Sequence, residues 1–312
     1  MMTAGARTLC MGIAFFVSLG LGVDAHSQTP AKQDGASAAG AKTDGKVDEA
    51  VSLVKPNTKA VSVPPDRTED YDNRLGKPLL RHFVSDQKAI WTSPAHVKFS
   101  DTVWLVPLGG FTAALLASDG EFSRHLSNSA STLSNYKKLS DYGIGAMVAA
   151  GGGMYLLGKM TNNDHARETG LLAGEAAIDS LVPTYALKYA TRRERPQQGN
   201  GNGDFWSGGD SFSSEHASAA WSIATVFANE YPGFFTKFLA YGSATAISLS
   251  RIKAKQHFPS DVLVGSSIGW LIGQYVYRTH HDPLVGGGGW EKLSDKFSGE
   301  WARRPENMGS PY

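Results

Sequence analysis

Two basic side chains near the middle of the chain have a spacing that suits anion binding. Lys188 and Arg195 are seven residues apart, which on a helix is two turns, so both would lie on nearly the same face. Arginine offers a planar fork of donors and lysine a compact charge, a combination suited to the oxygens of a phosphoryl group. Pro196 would end such a helix. The other interpretation of this segment is a solvated basic helix end.

A second segment, Ser-Ser-Glu-His at residues 213–216, precedes an Ala-rich run. Ser213 or Ser214 therefore predicts a helix N-terminus, whose unpaired backbone N–H groups form a ready anion site. Ser214 would donate to a phosphate oxygen. His216 carries an imidazole, which can hand a proton to a departing alkoxide near neutral pH. Alternatively, the serines only cap the helix and His216 is a surface residue.

A third segment contains Arg251, His257 and Asp261. Pro259 is best tolerated in the first turn of a helix, so the last helix is predicted to begin beside it, with His257 just outside and Asp261 in the first turn. At that spacing the carboxylate would reach back to one imidazole nitrogen and fix the tautomer, which leaves the other nitrogen free as a nucleophile. Arg251, at the end of the preceding helix, would add a third cation to the same pocket.

Metal binding is the competing use of His216, His257 and Asp261. We disfavour it because three nearby cations would oppose a divalent ion. A further set of potential ligands lies at the predicted end of the last helix: His280, His281 and Asp282. For this second set we favour a polar helix end over a metal site.

Apolar stretches of helical length recur along the second half of the chain, while alternating strand-like patterns are scarce. These stretches cover residues 102–118, 142–158, 170–189, 217–231, 236–250 and 262–277. They predict an all-α fold, a bundle of about six core helices with the functional groups clustered at one end. Ala, Gly and Ser are frequent in them, which would let helix backbones approach closely.

Together the three segments resemble the type 2 phosphatidic acid phosphatase (PAP2) superfamily, which includes bacterial acid phosphatases, lipid phosphate phosphatases and vanadium haloperoxidases. The family pattern is Lys, six residues, Arg-Pro; then Pro-Ser-Gly-His; then Ser-Arg, five residues, His, three residues, Asp. The first and third motifs match at every defined position between Lys188 and Asp261. In the middle motif Ser213 replaces Pro and Glu215 replaces Gly, which puts a carboxylate beside the expected phosphate.

The resemblance implies a PAP2/haloperoxidase-like bundle that acts as a phosphatase without a metal or cofactor. His257 would attack phosphorus to form a phosphohistidine, and His216 would protonate the leaving oxygen and then activate water. The phosphate would lie among Lys188, Arg195, Ser214, Glu215 and Arg251. The implied substrates are lipid phosphates, isoprenoid diphosphates or small organic phosphates. Two alternatives are a vanadium-dependent haloperoxidase and a phosphate-headgroup binding protein in which Glu215 has weakened turnover.

Composition and targeting signals place these motifs in an exported protein. Arg7, an apolar run over residues 9–23 and small residues before Ala25 predict a signal peptide, residues 1–25, which contains the only cysteine, Cys10. Residues 26–72 have the composition of a disordered linker, residues 73–280 form the predicted phosphatase domain, and 281–312 a tail. Thirty Lys and Arg against 29 Asp and Glu give no electrostatic case for a nucleic-acid partner.

We therefore expect a periplasmic or secreted protein, with association at a membrane surface as a further expectation. The alternative is an integral inner-membrane protein with its active site on the periplasmic side. Stretches 102–118 and 142–158 have 17 residues without a charge, at the lower limit for a spanning helix, and the mean hydropathy is −0.24. The sequence makes no prediction of oligomeric state.

Overall fold

The computed structural model describes residues 73–282 and residue 285. None of these residues forms a β-strand, so the predicted all-α fold is confirmed. Two short 3₁₀ helices, Ser93–His96 and Phe99–Asp101, separate the first two α-helices. The α-helices in chain order are α1 Lys77–Thr92, α2 Thr102–Arg124, α3 Ala130–Thr161, α4 Asp164–Thr191, α5 Glu215–Glu230, α6 Phe234–Lys253 and α7 Pro259–His280.

The six predicted apolar stretches lie within α2 to α7, except that residue 231 lies just past the end of α5. The helices are longer than these stretches, most clearly α3, which begins at Ala130 where the predicted stretch begins at residue 142. The sequence prediction missed α1. The fully buried residues of α1 are His82 and Asp86, and its apolar residues, such as Ile90, which packs against the main apolar cluster, are interrupted by charged ones. This helix therefore lacks the long apolar stretch by which we identified the others. The predicted signal peptide with Cys10, the predicted linker and most of the predicted tail lie outside the described residues.

Helix α5 is the centre of the bundle and packs against α3, α4, α6 and α7. Its alanines Ala217, Ala220 and Ala224 are completely buried. The largest apolar cluster joins α5 to α4 and α7 and consists of Leu172, Ala173, Ala176, Ala177, Ile223, Val226, Ile272 and Val276. Burial of this surface is the main force that assembles the bundle.

Helices α5 and α7 approach each other at backbone distance. Gly265, Gly269 and Gly273 are spaced by four residues on α7, and a Cβ atom on each would meet the backbone of Ser214, Ser218 and Ser222 on α5. At Gly269 that atom would overlap the carbonyl oxygen of Ser218. Close packing between small residues thus fixes the start of α7 beside the start of α5, where the backbone N–H of Ser214 donates to the carbonyl oxygen of Asp261 at 3.1 Å.

One segment, Phe99–Arg124, is long and apolar enough to cross a membrane, judged by length and composition alone. It comprises the second 3₁₀ helix and α2, and none of its most apolar window is buried inside the protein. Val103 and Val106 within it are 79% and 67% exposed. The outer surface of α2 is therefore apolar.

The α5–α7 contact is testable by adding one methyl group. We expect Gly269→Ala to lower the free energy of unfolding by about 1–3 kcal/mol, because the added Cβ forces the two helices apart. Gly153→Ala on α3 is the matched control, since a Cβ there meets no atom within 4 Å. It should be neutral or stabilising by up to about 1 kcal/mol through helix propensity. Urea unfolding measures both, and equal midpoints for the two variants would contradict the close contact.

Candidate active site

The three motif segments lie together at one end of the bundle. Lys188 is in the last turn of α4 and Arg251 in the last turn of α6, while the first turn of α5 carries Glu215 and His216. His257 precedes α7, which begins at Pro259. Four helix ends thus meet around one pocket. Ser214 caps α5, its hydroxyl accepting from the backbone N–H of Ala217 at 3.4 Å.

The ring of His257 is fixed in one tautomer by a backbone carbonyl. Its Nδ1 lies 2.7 Å from the carbonyl oxygen of Ser211, and because a carbonyl only accepts, Nδ1 carries the proton. Nε2 is therefore the lone-pair nitrogen, and it faces the pocket. Burial holds the pKa of His257 well below its ordinary value, and the charges of Lys188 and Arg251 add to this shift, although the carboxylate of Glu215 opposes it. The imidazole is thus neutral, as a nucleophile must be.

The expected direct hydrogen bond from His257 to Asp261 is not made, because Asp261 is committed elsewhere. Its Oδ2 lies 3.9 Å from Nδ1 of His257, and instead accepts from the Ser211 hydroxyl at 2.5 Å and the Phe258 N–H at 2.8 Å. Asp261 therefore positions His257 indirectly, through Ser211 and the start of α7. Sequence reasoning missed Ser211, which acts through its backbone carbonyl and so leaves no signal in residue type.

Arg193 is a buried cation that the sequence analysis also missed. It is 1% exposed, and its guanidinium binds Asp261 at 2.6 Å and Asp119 of α2 at 2.9 Å. The same guanidinium lies over the ring of Phe258, 4.4 Å from the centroid. Burial raises the pKa of Asp119 to about 6, although Arg193 and Ser260 oppose the shift. Arg193 therefore ties α2 to the start of α7, because removing it would leave two buried carboxylates without their cation.

Asp141 of α3 is a third residue that the sequence analysis missed and that contacts the motif side chains directly. Its Oδ1 accepts from Nε2 of His216 at 3.0 Å and from Arg251 at 3.1 Å. A carboxylate accepts only, so Nε2 of His216 carries a proton and Nδ1 is turned towards the pocket. Asp141 would stabilise the protonated imidazole, the form needed to donate to a leaving group.

Glu215 lies at the centre of the pocket, in contact with four motif side chains. Its Oε2 is 2.7 Å from Nζ of Lys188 and 3.6 Å from Nε2 of His257. Its Oε1 is 3.4 Å from Nδ1 of His216 and 4.0 Å from Arg251. Burial acts to raise the pKa of Glu215, but the interaction with His216 and the charge of Lys188 outweigh it and hold that pKa well below its usual range. The ionised carboxylate occupies the position that the site would give to a phosphate.

Arg195 lies beside this pocket, but its donors are engaged. Its Nε and one terminal nitrogen bind both oxygens of Asp210 at 2.7 and 2.8 Å, and the other terminal nitrogen donates to Gln256 at 2.8 Å. Lys188 also donates to the carbonyl oxygen of Asp210 at 2.5 Å. Burial alone would lower the pKa of Arg195, but the two hydrogen bonds to Asp210 raise it.

The pocket therefore contains compensating charges and unsatisfied polar atoms. Three cations, Lys188, Arg195 and Arg251, face three carboxylates, Asp141, Asp210 and Glu215. Three buried pocket nitrogens have no hydrogen-bond partner within the described part of the chain, namely Nδ1 of His216, Nε of Arg251 and Nε2 of His257. Buried polar atoms are nearly always satisfied, so the free donor Nε of Arg251 indicates a site built for an anionic ligand, whereas Nε2 of His257 is an acceptor whose lone pair stays available.

An apolar cavity of about 410 Å³ opens beside His216 and Glu215. It lies between α3, α4 and α5, and its walls include Met147, Ile178 and Leu181. Gly152 and Gly174 on the facing helices widen it, since a Cβ on either would meet no atom within 4 Å. Its volume lies in the range of about 300–1,000 Å³ that is usual for small-molecule sites.

The family comparison agrees with this geometry. Residues 169–283 match the family model described as the PAP2 superfamily. The match runs from within α4 to just past the end of α7 and includes all three motif segments. No curated protein and no solved structure matches the chain.

Removing the Glu215 carboxylate should strengthen anion binding. Glu215→Gly restores the family residue and leaves three cations facing two carboxylates, so we expect inorganic phosphate or vanadate to bind about tenfold more tightly or better. Isothermal titration measures the affinity directly. Glu215→Gln, which keeps the volume without the charge, separates electrostatic from steric exclusion. An unchanged or weaker affinity in Glu215→Gly would show that Glu215 does not compete with the anion.

Proposed function

On the premise that the chain belongs to the PAP2 superfamily, as residues 169–283 indicate, we propose that it hydrolyses phosphate monoesters or diphosphates through a phosphohistidine at His257. The observation that carries this proposal is the orientation of His257. Its unprotonated Nε2 is buried and points at the carboxylate oxygen of Glu215, which in turn lies 2.7 Å from Lys188. A phosphate in place of that carboxylate would present its phosphorus to the nucleophile.

In the first step, Nε2 of His257 attacks phosphorus and the bond from phosphorus to the leaving oxygen breaks. His216 gives its Nδ1 proton to that oxygen, while Asp141 stabilises the charged imidazole that donates it. The Ser211 carbonyl continues to accept from Nδ1 of His257 and so stabilises the positive charge that the ring acquires.

In the second step, the now neutral His216 takes a proton from water, and the water oxygen attacks the phosphohistidine. The bond between phosphorus and Nε2 breaks, phosphate leaves, and both imidazoles return to their starting states. Lys188, Arg195 and Arg251 would stabilise the charge on the phosphoryl oxygens throughout, with Ser214 and the backbone N–H groups at the start of α5. In this mechanism, the phosphate of the substrate takes the place of the Glu215 carboxylate. It also binds the guanidinium of Arg195, which remains in contact with Asp210.

Within the implied substrates, the apolar cavity favours those with a hydrocarbon leaving group. It opens beside His216, the proposed proton donor, so a group that departs from phosphorus towards His216 would enter an apolar space. A lipid phosphate or an isoprenoid diphosphate fits this arrangement better than a small polar organic phosphate.

We further propose that residues 73–280 act as one domain in the periplasm or after secretion, at a membrane surface. The support is the exposed apolar helix Phe99–Arg124 together with the apolar cavity. Lipid substrates would reach such a site from the bilayer without crossing water. Cell fractionation with a salt wash and a detergent wash would separate surface association from integral insertion.

The decisive experiment is a phosphate-release assay on short-chain phosphatidic acid, isoprenyl diphosphate and a soluble phosphomonoester. We expect release in the presence of a chelator, a loss of at least about 10³-fold in His257→Ala, and a ³²P-labelled, acid-labile and alkali-stable phosphoenzyme in the wild type only. Activity that survives His257→Ala would remove the nucleophile assignment. Bromide oxidation by peroxide with added vanadate would instead favour a haloperoxidase, and binding without release a headgroup-binding protein.

His216 is tested by the leaving group it is proposed to protonate. His216→Gln should lose about 10²–10⁴-fold in kcat/KM on an alkyl phosphate, whose alkoxide needs a proton, but much less on 4-nitrophenyl phosphate. An equal loss on both substrates would assign His216 to binding instead of proton transfer.

Filling the apolar cavity should lower activity on lipid phosphates more than on soluble phosphomonoesters. Gly174→Leu places a side chain in the cavity, so we expect kcat/KM for the lipid phosphate to fall about tenfold or more while the soluble monoester is barely affected. Gly153→Leu is the matched control, since Gly153 is also an open helical glycine but does not line the cavity. If both substrates respond equally to Gly174→Leu, the cavity does not hold the leaving group.

A further inference from the structure

A second cluster of buried titratable side chains lies where α1, α4 and α7 meet. Its core consists of His82, Glu175 and His280, which are 4%, 3% and 3% exposed. One ligand atom from each lies within 4.8 Å of the other two. Glu175 precedes Lys188 by 13 residues of the same helix, about 20 Å along its axis, so this cluster is separate from the phosphate pocket.

Two members of the cluster are buried without hydrogen-bond partners. Neither ring nitrogen of His82 and neither carboxylate oxygen of Glu175 has one among the residues that the structure describes. Nδ1 of His82 faces Oε1 of Glu175 at 3.3 Å. Burying an imidazole nitrogen beside a carboxylate oxygen costs free energy when neither has a hydrogen-bond partner, unless a third group binds both. A metal ion is such a group.

Two further carboxylates add to the negative charge of the cluster. Asp86 lies 2.9 Å from Nε2 of His280, and Asp86, Asp179 and Glu175 also bring ligand oxygens within 4.8 Å of one another. Three buried carboxylates and two histidines form a donor set that a divalent cation would neutralise.

The way in which α1 is attached to the bundle also favours a bound ion at this cluster. His82 and Asp86, one turn apart, are the buried residues of this helix, and the rings of His82 and His280 stack with centroids 4.1 Å apart. Helix α1 is thus held by polar groups in addition to the packing of Ile90 against the main apolar cluster. Ligation of one ion by α1, α4 and α7 would account for the complete burial of a histidine and an aspartate on this helix.

We propose that His82, Glu175 and His280, with Asp86 or Asp179, bind one divalent first-row transition-metal ion in a structural role. Imidazole with carboxylate suits zinc, manganese or iron(II) better than magnesium or calcium, which prefer oxygen alone. A neighbouring group, Glu168, Glu230 and His281, meets the same distance criterion. It is the weaker candidate, because Glu230 pairs with His165 at 2.9 Å and Glu168 accepts from the Asp282 N–H at 2.6 Å.

The test uses the tag-free full chain, stripped with a chelator and reloaded with Zn²⁺ or Mn²⁺, with Mg²⁺ as the comparison. We expect about one ion per chain by elemental analysis after dialysis. The melting temperature should rise by about 5 °C or more at a hundredfold excess over Kd. Glu175→Gln and His82→Gln should abolish both effects. His125→Gln, at an exposed histidine, is the matched control and should retain them.

Three outcomes would overturn the proposal: no uptake by the wild type, equal uptake by Glu175→Gln, or stabilisation by Mg²⁺ alone. If the variants do not fold, X-ray absorption spectroscopy of the Zn²⁺-loaded wild type tests the proposal instead. Two histidine ligands predict multiple-scattering features of imidazole in the spectrum, and their absence would contradict the site. Retention of metal in His257→Ala separates this site from the phosphate pocket, and metal content is read without reference to phosphatase activity.

Discussion

The backbone contact between α5 and α7 is the constraint on which the rest of the structure depends. Glycines at every fourth position of α7 let its backbone lie against the serines of α5, which brings the N-termini of the two helices together. Ser214 and Asp261 are joined there by a backbone hydrogen bond. Arg193 then holds Asp261 and Asp119, so that α2 and the segment after α4 close around the same point. The site is rigid because its supports are backbone contacts and buried ion pairs.

Within that frame, the tautomers of the two pocket histidines follow from neighbours that can only accept a hydrogen bond. The Ser211 carbonyl and the Asp141 carboxylate each accept a hydrogen bond from one imidazole nitrogen, so the other nitrogen of each ring faces the pocket. In the proposed mechanism, Nε2 of His257 offers a lone pair and Nδ1 of His216 donates a proton. Glu215 lies between them as an internal anion, paired with Lys188. If a phosphate replaces this carboxylate as proposed, the negative charge of Glu215 would both stabilise the pocket before binding and compete with the substrate.

Helix α4 connects two polar clusters with different electrostatics. Near the C-terminal end of this helix, Lys188 contributes to the cationic side of the phosphate pocket. Earlier in the helix, Glu175 and Asp179 contribute to a cluster that contains more carboxylates than histidines. Between the clusters the helix buries Ser180 and Thr184, whose hydroxyls bond back to its own carbonyls. Under the two proposals, the C-terminal end of α4 would serve catalysis while the earlier part would stabilise the attachment of α1.

The sequence by itself determined the helices that contain a long apolar stretch and the motif residues whose types carry the chemistry. Helix length and apolar content are local properties, so α2 to α7 were visible without coordinates, whereas α1, which buries a histidine and an aspartate, was not. Only the tertiary structure decided the partners of the motif residues. Asp141 lies 75 residues from His216, and Asp119 lies 74 from Arg193, so no local pattern joins them. The sequence also could not show that His257 bonds to the Ser211 carbonyl instead of to Asp261. A backbone oxygen is the same in every residue, and only the fold decides where it points.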